Sequence, residues 1–220
     1  MSSLIFMKIL ESAPQRYDRG IRFLFLGKLD KAYDCLVSPI QKGYKVLDIG
    51  CGTGALSFKA AQKGALVRGM DINPQMLEQA QKKAKTLGLK DRTEFKEKGV
   101  SELDEEETAS YDAVTSGLCF SELSEDEIHF ALKQIKRILK ENGLLLIADE
   151  VMPSGIFRRI IHWVIKAPLL IITYVLTQTS TRAVKDLPQK IADSGFQIEK
   201  IKFNKLQDFM ELKARKEEET

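Results

Sequence analysis

A chain of 220 residues with 44% hydrophobic content is long enough to bury one substantial core. Its 34 basic and 31 acidic side chains are interleaved and leave a net charge of +3, so nothing in the charge pattern points to nucleic acid. Cys35, Cys51 and Cys119 are odd in number, far apart and in no metal-like spacing, which argues against a disulfide framework and makes a reduced, cytoplasmic chain the expectation.

The first residues carry no basic segment, long apolar run or small-residue cleavage site, so no signal peptide is expected. Residues 1–44 read as helices laid over a sheet, with Ile21 to Leu26 as an apolar face. Lys45 to Ile49 reads as a strand that runs into Gly50-Cys51-Gly52-Thr53-Gly54, and Ala55 to Gly64 as the helix that follows. Ala65 to Met70 is a second strand ending at Asp71, and Pro74 to Leu87 a helix capped by Asn73 with proline at its first position. Thr93 to Lys98 is a third strand, Ser101 to Ser110 a short helix and loop, and Asp112 to Ser116 a fourth strand. The capping box from Ser124 to Glu127 announces a helix to Lys140, ended by Asn142-Gly143, and Leu144 to Ala148 is the fifth strand. Gly195 closes a later helix, and Gln197 to Phe203 and Gln207 to Ala214 are the last strands. This alternation is the pattern of a parallel sheet covered on both faces.

Between the fifth strand and that later helix, Met152 to Thr181 is unusually apolar: Phe157, Ile160, Ile161, Trp163, Leu169 and Ile171 are among its members. Lys166 and Pro168 cut it too short for a transmembrane span. Three readings stay open: a helical lid on the core, a homodimer contact, or a helix at a membrane surface through 156–176 with Arg158, Arg159 and Lys166 towards headgroups.

The glycine turn is built for close approach of a ligand to the backbone, because a Cβ there would stand in the way. Gly50 to Ala55 satisfies the dinucleotide pattern G-x-G-x-x-G/A as well as G-x-G-x-G, so a nicotinamide oxidoreductase competes with other nucleoside binders. Asp48 separates them. A carboxylate two residues before the first glycine repels a pyrophosphate but attracts the ammonium and sulfonium of S-adenosylmethionine. Asp71, about 20 residues beyond the first glycine, stands where a ribose-binding acid is expected.

Val46 to Gly54, Gly69-Met70-Asp71-Ile72-Asn73-Pro74 with Met76-Leu77, Tyr111-Asp112-Ala113-Val114, and Leu139 to Ile147 resemble, in order and spacing, the successive motifs of class I S-adenosylmethionine-dependent methyltransferases. The opening Met7 to Gly20 resembles methyltransferases described as corrinoid-protein-associated, and the layout is similar to quinone C-methyltransferases. The resemblance implies a Rossmann-like, doubly wound α/β fold with a seven-stranded sheet, mostly parallel with the last strand antiparallel. It implies one domain: an N-terminal helical cap at 1–44, a cofactor-binding core at 45–150, an apolar helical cap at 151–182, and a C-terminal helix and strands at 183–220.

The implied cofactor is S-adenosyl-L-methionine. Asp71 would take the ribose hydroxyls, and Ile72 and Met76 would pack on adenine. Asp48 would hold the turn through backbone hydrogen bonds and favour the ammonium. Gly50, Cys51, Gly52, Thr53 and Gly54 would line the methionine end, with Tyr17 near it. Many relatives have Gly-Asp after the third strand; this chain has Gly99-Val100-Ser101, so adenine would be read by backbone groups there or by Glu102. Ser116 and Gly117, with the residues to Glu122, would line the meeting place of acceptor and methyl group. Methyl transfer needs alignment above all, and if a base is required, Glu122, Asp149 or Glu150 would serve. Cys51, His129 and His162 read as structural, and no metal site is expected.

The leading reading is methyl transfer to an apolar or bulky small molecule or a corrinoid-type acceptor. The alternatives are a cofactor-binding partner of a corrinoid protein with little turnover of its own, and an NAD-dependent oxidoreductase.

Overall fold

The structure, a computed structural model, describes residues 28–152 and 184–217. Seven strands form one sheet in the order β3-β2-β1-β4-β5-β7-β6. They are β1 (Lys45–Ile49), β2 (Leu66–Asp71), β3 (Thr93–Glu97), β4 (Tyr111–Gly117), β5 (Leu139–Glu150), β6 (Phe196–Phe203) and β7 (Phe209–Lys216). Neighbours from β3 through to β5 pair in parallel, and β7 runs antiparallel to both β5 and β6.

β1 shows why the sheet sits in the middle. Four of its residues in succession, Val46 to Ile49, are buried, as a strand covered on both faces requires. Alternate side chains then divide between two cores. Val46, Ala113, Leu144 and Leu146 pack with Leu29 and Leu36 of helix α1 (Lys28–Leu36) and Leu56 and Ala60 of α2 (Ala55–Gln62). Leu47, Ile49, Val114, Leu145 and Ile147 face the other side, against Ile128, Leu132 and Ile135 of α4 (Glu125–Ile138) and Leu187 and Ile191 of α5 (Leu187–Asp193). Helix α3 (Pro74–Thr86) begins as its sequence predicts: the Asn73 side chain accepts from the Gln75 and Met76 amides, ahead of Pro74. The Ser124 capping box is formed on α4.

Several boundaries differ from the sequence reading, among them the junction of α4 with β5 and the start of β7. Helix α4 stops at Ile138 rather than Lys140, because the Ala109 and Ser110 amides take the carbonyls of Arg137 and Ile138 as the chain enters β4. Leu139 already pairs with Tyr111, and Asn142, at φ 60°, makes its turn inside β5 rather than at the helix end. The last strand begins at Phe209 rather than Gln207, since Asn204 organises a turn whose side chain accepts from the Asp208 and Phe209 amides.

The strand order reverses between β1 and β4, which places a crevice outside their carboxyl ends. Two further segments of the chain meet at that edge: Val151 bridges Val184, and the Met152 amide donates to the Val184 carbonyl at 3.1 Å. The chain therefore leaves and rejoins the described structure beside the crevice. The expectations for Tyr17, for Ile21 to Leu26 and for 153–183, including the lid, dimer and membrane readings, fall outside the described residues. Among the described residues, no helix is long and apolar enough to cross a membrane.

Candidate functional site

The glycine turn after β1 stands at the crevice. Gly50 has φ +66°, and a Cβ there would lie 2.5 Å from the Cys119 sulfur, so conformation and close packing both demand glycine. Gly52, at φ +53°, is open by comparison; its Cβ position would meet the Met76 methyl at 3.4 Å. The turn is anchored by the Cys51 amide on the Met70 carbonyl at 3.0 Å and the Gly54 amide on the Cys51 carbonyl at 2.9 Å.

Asp48 lies beneath this turn with 1% of its surface exposed. Thr115 donates its hydroxyl to one carboxylate oxygen at 2.8 Å, and Ser57 donates its hydroxyl to the other at 2.5 Å. The Ser57 amide adds a further hydrogen bond, which helps the start of α2, where Gly54 offers no side-chain cap. Asp48 thus accepts one backbone amide just beyond the turn, and its charge ties β1 to α2 and β4. Burial pushes its carboxyl up to about 6, against the pull of Ser57 and Thr115.

Asp71 closes the other side. One oxygen accepts the Gly52 amide and the other the Asn73 amide, each at 2.8 Å. Burial raises its pKa first, and these two amides hold it down. A carboxylate has about four lone-pair sites, so two donors leave room for two more. Because Asn73 caps α3 itself, Asp71 is not spent on that duty.

Next to it, Ile72 leaves 76% of its surface exposed, and its methyl lies 3.1 Å from where a Gly99 Cβ would be. Met76 is buried behind Gly52. Val100 starts a 3₁₀ turn, Val100–Glu105, and Glu102 accepts the Gly99 amide at 2.7 Å. That bond withdraws the Gly99 donor from any ligand and places an acid at the rim where Val100 offers none.

Across the crevice, Ser116 is fully buried and donates to the Ile49 carbonyl at 3.1 Å, which joins β4 to β1. Gly117 makes room for Tyr33: a Cβ there would lie 2.5 Å from the phenol oxygen. The sequence reading missed Tyr33, although the spacing of Leu29, Tyr33 and Leu36 on α1 marks a core-facing stripe. Leu118 adopts φ +60°, a costly conformation for a leucine, with its amide on the Ala148 carbonyl at 2.9 Å.

The acids proposed as bases separate on inspection. Asp149 takes the Phe120, Ser121 and Glu150 amides at 2.7, 3.4 and 2.7 Å, so both of its oxygens already hold backbone. Glu122 is exposed at the rim, and Glu150 is buried at the end of β5. The thiols of Cys51 and Cys119 are pushed well above their usual range, by burial first and by neighbouring carboxylates after it, so neither is a ready nucleophile. Thr53 is buried in the turn.

Two cavities lie elsewhere. One of about 600 Å³ is lined by Lys45, Leu66, Thr93 and Tyr111 at the amino ends of the strands, where Tyr111 and Arg68 both bond the buried Glu106. The other, about 690 Å³, lies between α4 and α5. Neither includes Asp48, Asp71 or the glycine turn.

Residues 46–143 match a family model described as a methyltransferase domain. A ubiquinone/menaquinone biosynthesis C-methyltransferase of Bartonella quintana is 31% identical over 216 residues, which cover 93% of this chain and 76% of that protein. A methyltransferase-named protein of Geobacillus sp. is 38% identical over 126 residues, or 52% of this chain, and the match spans about half of its length, 49%. The fold is similar to that of geranyl diphosphate C-methyltransferase from Streptomyces coelicolor, solved with magnesium, geranyl diphosphate and S-adenosyl-L-homocysteine. That likeness has a TM-score of 0.66 at 13% identity, over 91% of this chain and 84% of the other.

Proposed function

Starting from a chain that belongs to the class I S-adenosylmethionine-dependent methyltransferases and is similar to the quinone methyltransferases, we propose that it moves a methyl group to a carbon of an apolar, quinone-type ring. The observation that carries the cofactor reading is Asp71, fixed by the Gly52 and Asn73 amides with lone pairs to spare beside an open glycine turn.

The residues fit the cofactor. Asp71 receives the two ribose hydroxyls. Ile72, exposed at the rim, and Met76 behind Gly52 flank the adenine, with Gly99, Val100 and Glu102 at its edge. Gly50, Cys51, Gly52, Thr53 and Gly54 line the methionine end, above the buried charge of Asp48, which favours an ammonium. Tyr17 is assigned to the same end on its sequence resemblance. Ser116 and Gly117 form the floor between cofactor and acceptor. The bound cofactor supplies an electrophilic methyl on a sulfonium.

In the reaction proposed, the ring carbon gains a bond to the methyl as the bond from methyl to sulfur breaks, and the ring proton leaves to a base. Glu122 or Glu150 takes that proton; Asp149, spent on three amides, does not. Alignment supplies most of the acceleration, so the chain's main tasks are to hold two partners in line and to exclude water.

An apolar acceptor is supported by the name of the Bartonella relative and by the apolar sequence between Met152 and Val184, whose two ends meet at this edge. The corrinoid-protein reading gains no support from the relatives described, and the family replaces the nicotinamide reading. The test is incubation with S-adenosylmethionine labelled in its methyl group and a reduced naphthoquinone that has a free ring position. Label in the ring product supports the proposal; label lost only to other acceptor classes overturns the acceptor while keeping the cofactor.

A further inference from the structure

Asp149 is fully buried, and a carboxylate in that position is costly unless it is satisfied by donors. Two of its three backbone donors come from one place. The Phe120 and Ser121 amides belong to the 3₁₀ turn Phe120–Glu122, and they reach the same carboxylate oxygen, at 2.7 and 3.4 Å. The other oxygen takes the amide of Glu150 at 2.7 Å, which fixes the carboxylate to its own strand. Just before the turn, Leu118 is strained at φ +60° and bonded to Ala148, the residue preceding Asp149. Cys119 then packs against Gly50, with its sulfur 2.5 Å from the Cβ position. The turn thus runs from the glycine turn to the fifth strand, and Asp149 grips its first two amides.

We propose that Asp149 is a positioning residue for the acceptor: its carboxylate fixes the Phe120–Glu122 turn, which in turn sets the wall against which the acceptor meets the methyl group. This rests on the methyltransferase reading of the crevice. The buried Phe120 side chain anchors the turn from below, while Glu122 stands exposed at its end. A turn held by a charge rather than by packing alone is fixed in direction, and misplacement by about 1 Å costs on the order of 100-fold in such reactions.

Burial pushes the Asp149 carboxyl up to about 6, while the Ser121 side chain and the three amides hold it down. The ionisable groups around it are Cys119 and Glu122 on the turn and Glu150 beside it on β5; the Cys119 thiol feels Asp149, Glu122 and Asp71.

The experiment is amide-resolved NMR of the full chain, paired with kinetics. In the wild type the Phe120 amide proton should move with a midpoint near pH 6, and Asp149→Asn should abolish that movement. S-adenosylhomocysteine affinity should change by less than about two-fold, while kcat/KM for the reduced naphthoquinone falls by about 10-fold or more. An Asp149→Asn variant with wild-type kcat and KM, or one whose Phe120 and Ser121 amide resonances do not move from their wild-type positions, overturns the role of Asp149. If Asp149→Asn does not fold, Asp149→Glu, which keeps the charge but displaces it by one methylene, is read by the same kinetics and the same two amide resonances. A wild type that binds S-adenosylhomocysteine and shows the titration, yet never methylates the quinol, counts against the acceptor and leaves the Asp149–turn coupling supported.

Discussion

The Asp71 carboxylate accepts the Gly52 amide at 2.8 Å, so the acid at the end of β2 and the glycine turn at the end of β1 are one rigid unit. Gly52 is held with its open side outward, and the acid is aimed beside it. Asp71→Ala should therefore weaken S-adenosylhomocysteine binding by about 1 to 3 kcal/mol, the scale of lost charge-assisted hydrogen bonds. Asp71→Asn, which keeps one acceptor, should fall between. Calorimetric titration of the three proteins checks this, and equal affinities would remove Asp71 from the site.

Gly50 and Gly88 both have positive φ, yet only the first is crowded: Cys119 lies 2.5 Å from the Gly50 Cβ position, whereas nothing lies within 4 Å of that of Gly88. Gly88→Ala should cost about 1 to 2 kcal/mol, the strain of a left-handed alanine. Gly50→Ala should cost more and also impair cofactor binding, because the turn or Cys119 must move. Urea unfolding of both variants distinguishes them; equal midpoints would mean that packing against Cys119 contributes nothing.

Asp48 and Asp149 each rise from 3.8 to about 6, mainly through burial. Between about pH 4 and 6 the folded chain therefore binds more protons than the unfolded chain, and stability falls as pH rises through that window, levelling off above it. Glu94, Glu125, Glu127 and Glu199 are held below their ordinary value and act oppositely, their contribution fading as pH drops through the lower carboxylate range. The melting temperature should accordingly peak in mildly acid solution. Asp48→Asn should flatten the slope between about pH 4 and 6, and a slope identical to the wild type's would contradict the burial argument.

Ser57 is the donor that Asp48 meets most closely, at 2.5 Å, inside a fully buried pair. Ser57→Ala strips a hydroxyl from a buried charge and should destabilise the fold by about 1 to 3 kcal/mol. It should also raise the pH at which Asp48 takes up its proton, since Ser57 is among the groups holding that value down. Thermal melts at pH 5 and pH 8 read both effects: the deficit should be larger at pH 8, and a deficit that is the same at both would mean that Ser57 does not act through the charge.

The strands and helices were legible because each carries a local signal: the buried run of β1, the Asn73 and Ser124 caps, and the glycines where the chain turns. What escaped depends on partners far along the chain. The true end of α4 is set by amides at Ala109 and Ser110, and the start of β7 by the Asn204 turn. Asp71 and the glycine turn could be placed at the crevice from spacing, and Ile72 from the family resemblance. The side-chain donors of Asp48 had no local signal, since Ser57 and Thr115 lie 9 and 67 residues away. Tyr33 and the grip of Asp149 on Phe120 had no motif to announce them, being contacts of burial and topology.

The most direct test of the central claim is to titrate the wild-type chain, by calorimetry, with S-adenosylhomocysteine and separately with NAD. One-to-one binding of S-adenosylhomocysteine with no heat from NAD is the predicted result, because Asp48 beneath the turn favours a phosphate-free nucleoside that carries an ammonium. Binding of NAD, or of neither, would contradict the account.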